Sequence, residues 1–464
     1  MERKRKLSVA KVSVILITVP ILLWAYEYGP DPGYCGVPGE NAGDTCANSG
    51  CHLGTANSGK GSVVVNFPYG LTYLPGVKQH LTVTIADPAA TQVSWGFELT
   101  ARVASTPSSM AGTFASDDAS TQVVCSQPNL VIFVDVPPAS GCAPSETLQY
   151  IEHSQTGWQA SRNHTGSYTF QFDWTPPPSS VGNVAFYVAA NAAGTVVVSE
   201  GNPNPNDHIY TTKYTLTPLT ATAPTVDGAQ VENGASFIQG IVPGSWLTIK
   251  GANLSPVTDT WANVIVNGIL PTTLDGVSVS VGGEPAYVYY ISPGQINAVT
   301  GNIGTGSVTV TVTNSAATSP GVTSTSLQYQ PAFFAWPNNQ PVATRNSDGS
   351  YAVAPGTFPG ATTVAAKPGD VLVLWGTGFG PTTPAAPVGQ QVPASPFYST
   401  ATPVTVTIGG APAMVAYAIL SPTYAALYQI AITVPTTLGN GAYPIVATIN
   451  GAASPSGVML TVAQ

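Results

Sequence analysis

Beyond residue 60 the chain is cut into short β-branched and aromatic runs, and nothing longer. "GSVVVNF" (61–67), "HLTVTIA" (80–86), "LVIFVDV" (130–136), "SYTFQFDW" (167–174) and "VAFYVAA" (184–190) are each bounded by Gly, Pro, Asn, Asp or Ser. Such runs alternate as half-buried strands, and their flanks carry turn chemistry. No stretch after the first 25 residues keeps a capped apolar period of 3.6, so long packed helices are excluded. With 47 Gly and 42 Pro in 464 residues, turns are frequent enough to close every run. The expected fold class is all-β, as three tandem β-sandwiches.

An internal repeat fixes the expected division of the second half. "IVPGSWLTIKGANLSP" from Ile241 returns as "AKPGDVLVLWGTGFGP" from Ala366, and "VSVSVGGEPAYVYYISPGQIN" from Val277 returns from Val404. The offset grows from 125 residues at Pro243 and Pro368 to 127 at Gly282 and Gly409 and 129 at Ser292 and Ser421. One duplicated unit with small loop insertions explains that drift. Each unit runs Pro-Gly turn, strand, Gly-containing turn, strand, Gly-Gly hairpin, strand, an order that suits an immunoglobulin-like sandwich. The expected bounds are 31–218 for the first sandwich, 219–228 for a linker, 229–330 for repeat 1 and 331–464 for repeat 2. Residues 229–464 resemble the uncharacterised C-terminal domain of many acidobacterial surface proteins, whose halves look like the immunoglobulin-like domains of plexins and transcription factors. That resemblance implies no catalytic residues.

Charge narrows the partners. Only 8% of residues are charged and the formal net charge is −9, with 8 basic against 20 acidic residues from Asp31 onward. Nucleic-acid binding and electrostatic attachment to anionic lipid are disfavoured. Residues 1–30 combine Arg3, Lys4, Arg5, Lys6 and Lys11 with the apolar run Val12–Ala25, which reads as a secretory signal or, if uncleaved, an N-terminal anchor. The rest of the chain is then expected outside the cytoplasm, secreted or at the cell surface.

All five cysteines (35, 46, 51, 125, 142) and all five histidines (52, 80, 153, 164, 208) precede Ile209. The second half therefore offers neither an imidazole base nor a thiolate ligand, and no enzyme is expected there. "PGYCGVPGENAGDTCANSGCHLGTANSG", "YIEHSQTGWQASRNHTGSYTFQFDWTPPP" and "DHIYTT" resemble the choice-of-anchor V domain, a reelin-like β-sandwich of bacterial surface proteins, over nearly all of 31–216. In that family the cysteine-histidine element takes a C-x2-C-H or C-x4-C-H form; the longer form stands here, and Cys35 departs from the usual pattern.

Three chemistries stay open for Cys46, Cys51 and His52. The two thiols and the following imidazole are the parts used to attach covalent haem c, with His153 as the first candidate axial ligand and His208, His164 or Met110 as alternatives. Cys46 and Cys51 could instead close a small extracellular disulfide loop. A metal on Cys46, Cys51 and His52 would have awkward adjacent ligands. Cys125 and Cys142 are expected to form a disulfide, leaving Cys35 unassigned. Glu200, Asn202 and Asp207, with Asn204 and Asn206 between them, offer oxygen ligands of the kind calcium takes. The expected function is non-enzymatic: binding, adhesion or a structural role at the surface, toward an extracellular protein or polysaccharide. The alternative is an extracytoplasmic c-type monohaem protein for electron transfer or ligand sensing.

Overall fold

A computed structural model describes residues 29–47, 52, 54–126, 142–194 and 206–463. The chain forms two compact units, Met1–Leu219 and Thr220–Gln464. Most of the expected signal segment, the expected strand at 130–136, Cys51, Glu200, Asn202 and Asn204 lie outside the described residues. No helix among the described residues is long and apolar enough to cross a membrane.

The first unit is a sandwich of two sheets. In chain order its elements are β1 (Ser62–Asn66), β2 (Thr72–Tyr73), β3 (Gln79–Ala86), β4 (Gln92–Val103), β5 (Thr106–Met110), β6 (Thr113–Ser116), β7 (Thr121–Ser126), β8 (Leu148–His153), α1 (Gln155–Ser161), β9 (Ser167–Thr175), β10 (Val184–Gly194) and β11 (His208–Pro218). One sheet has the order β1-β3-β9-β6; the other runs β2-β11-β10-β4-β8-β7, with β5 beside β4. β1 and β3 bury alternate residues, as strands with one wet face do. Between the sheets lie Trp95, Phe97, Leu99, Phe170, Phe172, Trp174 and Phe186. Trp174 meets Phe186 edge to face at 4.7 Å, the arrangement aromatic quadrupoles favour.

β4 and β10 are buried on both faces along most of their length, which a two-layer sandwich does not explain. Their second face is covered by the N-terminal segment, through Cys35, Val37 and Cys46 packed with Leu148, Tyr150, Tyr187 and Ile209. The helix α1 departs from the all-strand expectation. Ser154 caps it, its Oγ accepting the Gly157 N–H at 3.1 Å, and seven residues are too few for a helical period to stand out in the sequence.

The second unit holds the repeat. Its first half pairs Thr225–Asn233, Trp246–Ala252, Gln295–Val299, Tyr287–Ile291 and Asp259–Thr260 in one sheet and Val277–Val281, Gly306–Thr313 and Val322–Ser326 in another. In the second half Val371–Thr377, Tyr428–Thr433, Ala411–Leu420, Val404–Ile408 and Gly441–Ile449 follow one another in a continuous path of paired strands. The Gly-Gly pairs close equivalent two-residue hairpins, Val281 opposite Glu284 and Ile408 opposite Ala411. All four glycines have positive φ (61°, 89°, 59° and 81°), which such a turn demands at both central positions. Residues 225–228, expected within the linker, instead begin a strand: Thr225 and Val226 pair with Ala252 and Gly251 before a bulge. Their alternation with turn-forming Asp227 and Gly228 hid the pairing.

Candidate functional site

The cysteine-histidine segment follows from the doubly buried sheet. Period-two alternation turns Leu99 and Ala101 into the aromatic core, so Glu98, Thr100 and Arg102 face the N-terminal segment. Glu98 accepts the backbone N–H of Gly33 at 2.7 Å and of Tyr34 at 3.0 Å. Arg102, with 0% of its side chain exposed, lies 3.0 Å from Glu40 Oε1 and 5.0 Å above the Tyr150 ring. Tyr150 donates its hydroxyl to Glu40 Oε2 at 2.6 Å. These groups fasten residues 29–47 to the sheet as a strap.

Burial sets their protonation. It pushes the Glu98 carboxyl up to about 8, against the opposing pull of the two amide bonds and of Arg102. It raises the Cys35 thiol well above its ordinary range, with Glu98 adding in the same direction. A thiol so placed is inert rather than nucleophilic.

The histidines are tied down in a similar manner. His52 Nδ1 lies 2.7 Å from Asp207 Oδ2, and Asp207 Oδ1 accepts the Gly194 N–H at 3.0 Å. His208 Nδ1 lies 2.6 Å from Asp87 Oδ2, which also accepts the Tyr210 hydroxyl. Burial pushes Asp87 up, but hydrogen bonds from Tyr210, Ala89 and His208 outweigh it and hold the carboxyl below its usual value. His80 faces its cross-strand partner Asp173 at 3.2 Å. The Trp95 indole donates to the backbone carbonyl of His164 at 2.9 Å.

His153 is a core residue. Its Nδ1 accepts the Phe97 N–H at 3.1 Å, and its ring lies so close to Gly96 that a Cβ there would fall 2.7 Å from Cε1. Burial lowers its pKa to about 4, keeping the imidazole neutral. Only glycine at position 96 admits the ring.

Of the residues expected to hold haem, Cys51 lies outside the described residues, and Cys46, His52 and His153 are held as follows. His52 has the Nδ1 carboxylate partner that orients many metal-bound imidazoles. His153, however, is enclosed by β4 and bonded to its backbone, and Cys46 is buried in the strap with Sγ 3.9 Å from the Tyr34 carbonyl. Of the alternative ligands, His208 has the same kind of Nδ1 carboxylate partner, Asp87, as His52 has, and Met110 accepts a hydrogen bond from Thr100 Oγ1 at 3.8 Å. Of the calcium ligands, Asp207 is used by His52 and Gly194. Cys125 and Cys142 form a disulfide, their Cα atoms 5.5 Å apart.

Sequence reasoning missed two features. Ligand atoms of His80, Asp117 and Asp173 come within 4.8 Å of one another, but Lys78 Nζ already sits 2.7 Å from Asp173 Oδ2. The second is a cleft in the second unit of about 670 Å³, lined by Trp246, Trp261, Trp336 and Trp375 with Tyr289 and Tyr424. These tryptophans are scattered over 130 positions, and no local pattern joins them.

Comparison with known proteins identifies part of this architecture. Residues 236–330 match the IPT/TIG domain family, an immunoglobulin-like fold. No curated protein matches the chain. Among solved structures, the human F-spondin reeler domain is 16% identical and covers 34% of this chain and 93% of its own, with a TM-score of 0.21. Domains 5–6 of the S-layer protein SbsC are 13% identical, covering 52% and 99%, with a TM-score of 0.18. A cohesin module from a Clostridium perfringens family 33 glycoside hydrolase is 10% identical, covering 34% and 96%, with a TM-score of 0.22. These likenesses carry no conclusion about activity.

Proposed function

We propose that this chain is a non-enzymatic binding module of an extracytoplasmic surface, made of a reelin-like sandwich of the choice-of-anchor V kind (31–218) and two immunoglobulin-like sandwiches (229–330 and 331–464). One observation carries the reading: the side chains able to do chemistry are engaged in fastening the first unit. Glu98, Glu40 and Arg102 hold the strap, His52, His80 and His208 are bonded to aspartates, and His153 is a core residue. Among the described residues no hydrogen bond joins these imidazoles to a serine, threonine or cysteine, the pairing that an activated nucleophile would need. The Cys125–Cys142 disulfide supports an oxidising compartment. Covalent haem is not part of this reading.

The test is expression of the full chain with its own leader in a diderm bacterial host, followed by fractionation, protease shaving of whole cells and intact mass. Extracytoplasmic protein with Cys125 and Cys142 linked and no added cofactor is the expected result. Reduced protein in the cytosol would overturn the localisation. A mass about 616 Da higher would reinstate covalent haem.

A further inference from the structure

All four tryptophans of residues 220–464 line one cleft. Scattered core packing would distribute such residues among the sandwich interiors, and a well-packed interface leaves few voids larger than a water molecule. Here about 670 Å³ stays open, well inside the ~300–1,000 Å³ range of small-ligand sites. Trp261, Trp246 and Tyr289 form the base, with ring centroids 5.1–5.6 Å apart. Trp375 and Tyr424 stand 5.9 Å apart, and Tyr424 is 54% exposed.

The loop that presents Tyr424 is strained and locked. Thr423 and Ala426 have φ of 68° and 51°, a left-handed conformation that a β-branched residue rarely adopts. Thr423 donates its N–H to the Val392 carbonyl at 2.8 Å, Val392 donates to the Tyr424 carbonyl at 2.8 Å, and the Trp246 indole donates to the Ala425 carbonyl at 3.0 Å. Loop and base are thus fixed before any ligand arrives, which lowers the ordering cost of binding.

The lining defines the ligand. It contains no Asp, Glu, Lys, Arg or His, while Asn297, Gln391, Thr248 and Thr423 supply amides and hydroxyls. Thr248 Oγ1 and Gln295 Nε2 both donate to Asn297 Oδ1, at 3.1 and 2.9 Å, leaving the Asn297 amide N–H groups to donate to a guest. Phosphates, uronates and other anions find no cation there, and the chain is itself acidic. A quaternary ammonium needs aromatic rings held apart around it, whereas the rings at the base touch one another. Aromatic faces beside uncharged hydrogen-bonding groups match a pyranose, which offers a face of C–H bonds and a rim of hydroxyls.

We propose that this cleft binds a neutral oligosaccharide, sugar rings stacking on Trp375 and Tyr424 and hydroxyls bonding Asn297 and Gln391. The assignment rests on the reading of the chain as a binding module and supplies its ligand class. The test is calorimetric and fluorescence titration of the full chain with cellohexaose, maltohexaose, xylohexaose and N-acetylchitohexaose, beside hexagalacturonate, choline and a polyproline peptide. At least one neutral hexasaccharide should saturate the protein and shift its tryptophan emission. Tyr424→Ala should weaken that binding at least about tenfold, the scale of losing an aromatic anchor, while Tyr424→Phe retains it. Circular dichroism checks that both variants fold. Failure of all four sugars, binding that survives Tyr424→Ala, or preference for choline, hexagalacturonate or the peptide would overturn the assignment. Any of these with surface localisation intact removes the cleft and leaves the surface module standing.

Discussion

The two units build similar sandwiches from opposite inventories. The first contains every histidine and cysteine and buries Glu98 and Arg102 beneath a strap. The second has no histidine or cysteine, carries 3 basic residues from Thr225 onward, and gathers its four tryptophans around one cleft. Reactive side chains therefore mark the region that is fastened, and ordinary aromatic ones mark the region left open. Residue type alone would have reversed that assignment: imidazoles and thiols suggest a site, while tryptophans in a sandwich suggest a core.

The comparison breaks most readily at Arg102. Arg102→Ala leaves Glu40 and Tyr150 without their cation and should cost about 3–5 kcal/mol, as loss of one partner of a buried pair does. Denaturant unfolding should show the loss in the first unit only. Reduction of the Cys125–Cys142 bridge, which spans 17 residues, should cost the same unit about 3 kcal/mol in the chain-entropy picture. The second unit, lacking cysteine, should not respond.

A pH series sharpens the contrast. Glu98 titrates near 8 in the fold against an ordinary 4.5, so its contribution is fully present below about 4.5 and is lost as pH rises through 8. His153 titrates near 4 against 6.5, so its contribution is present above 6.5 and is lost as pH falls through 4. The two slopes oppose each other from 4.5 to 6.5, and only the Glu98 slope remains above that. First-unit stability should be flat in the lower window and fall from 6.5 to 8, by at most roughly 1.4 kcal/mol per pH unit. Glu98→Gln should remove the fall, and the second unit should stay level. The smallest effect belongs to Lys78→Ala, whose exposed ammonium pairs with Asp173; less than about 1 kcal/mol is expected.

Much of the fold was legible because its signals are local. Strands at 61–67, 80–86, 167–174 and 184–190 announce themselves by β-branched and aromatic runs, and the Gly-Gly hairpins of the repeat need no distant partner. The 17-residue spacing of Cys125 and Cys142 likewise suits a disulfide. The strap was not legible. It lacks periodicity, and its bonds join Gly33 and Tyr34 to Glu98 across more than sixty residues. The setting of His153 was hidden for a related reason: the sequence shows an imidazole after a strand but not the space that Gly96 opens for it. The cleft stayed hidden because Trp246, Trp261, Trp336 and Trp375 converge only in three dimensions.

The division between a fastened first unit and an open, ligand-binding second one is tested most directly by differential scanning calorimetry of the full chain, run alone, with reductant, and with a saturating neutral hexasaccharide. Two transitions are expected: reductant should lower one and leave the other, and sugar should raise the other and leave the first, as a ligand bound only to one folded unit requires. A single transition moved by both additives, or a sugar-induced rise in the reductant-sensitive transition, would contradict that division.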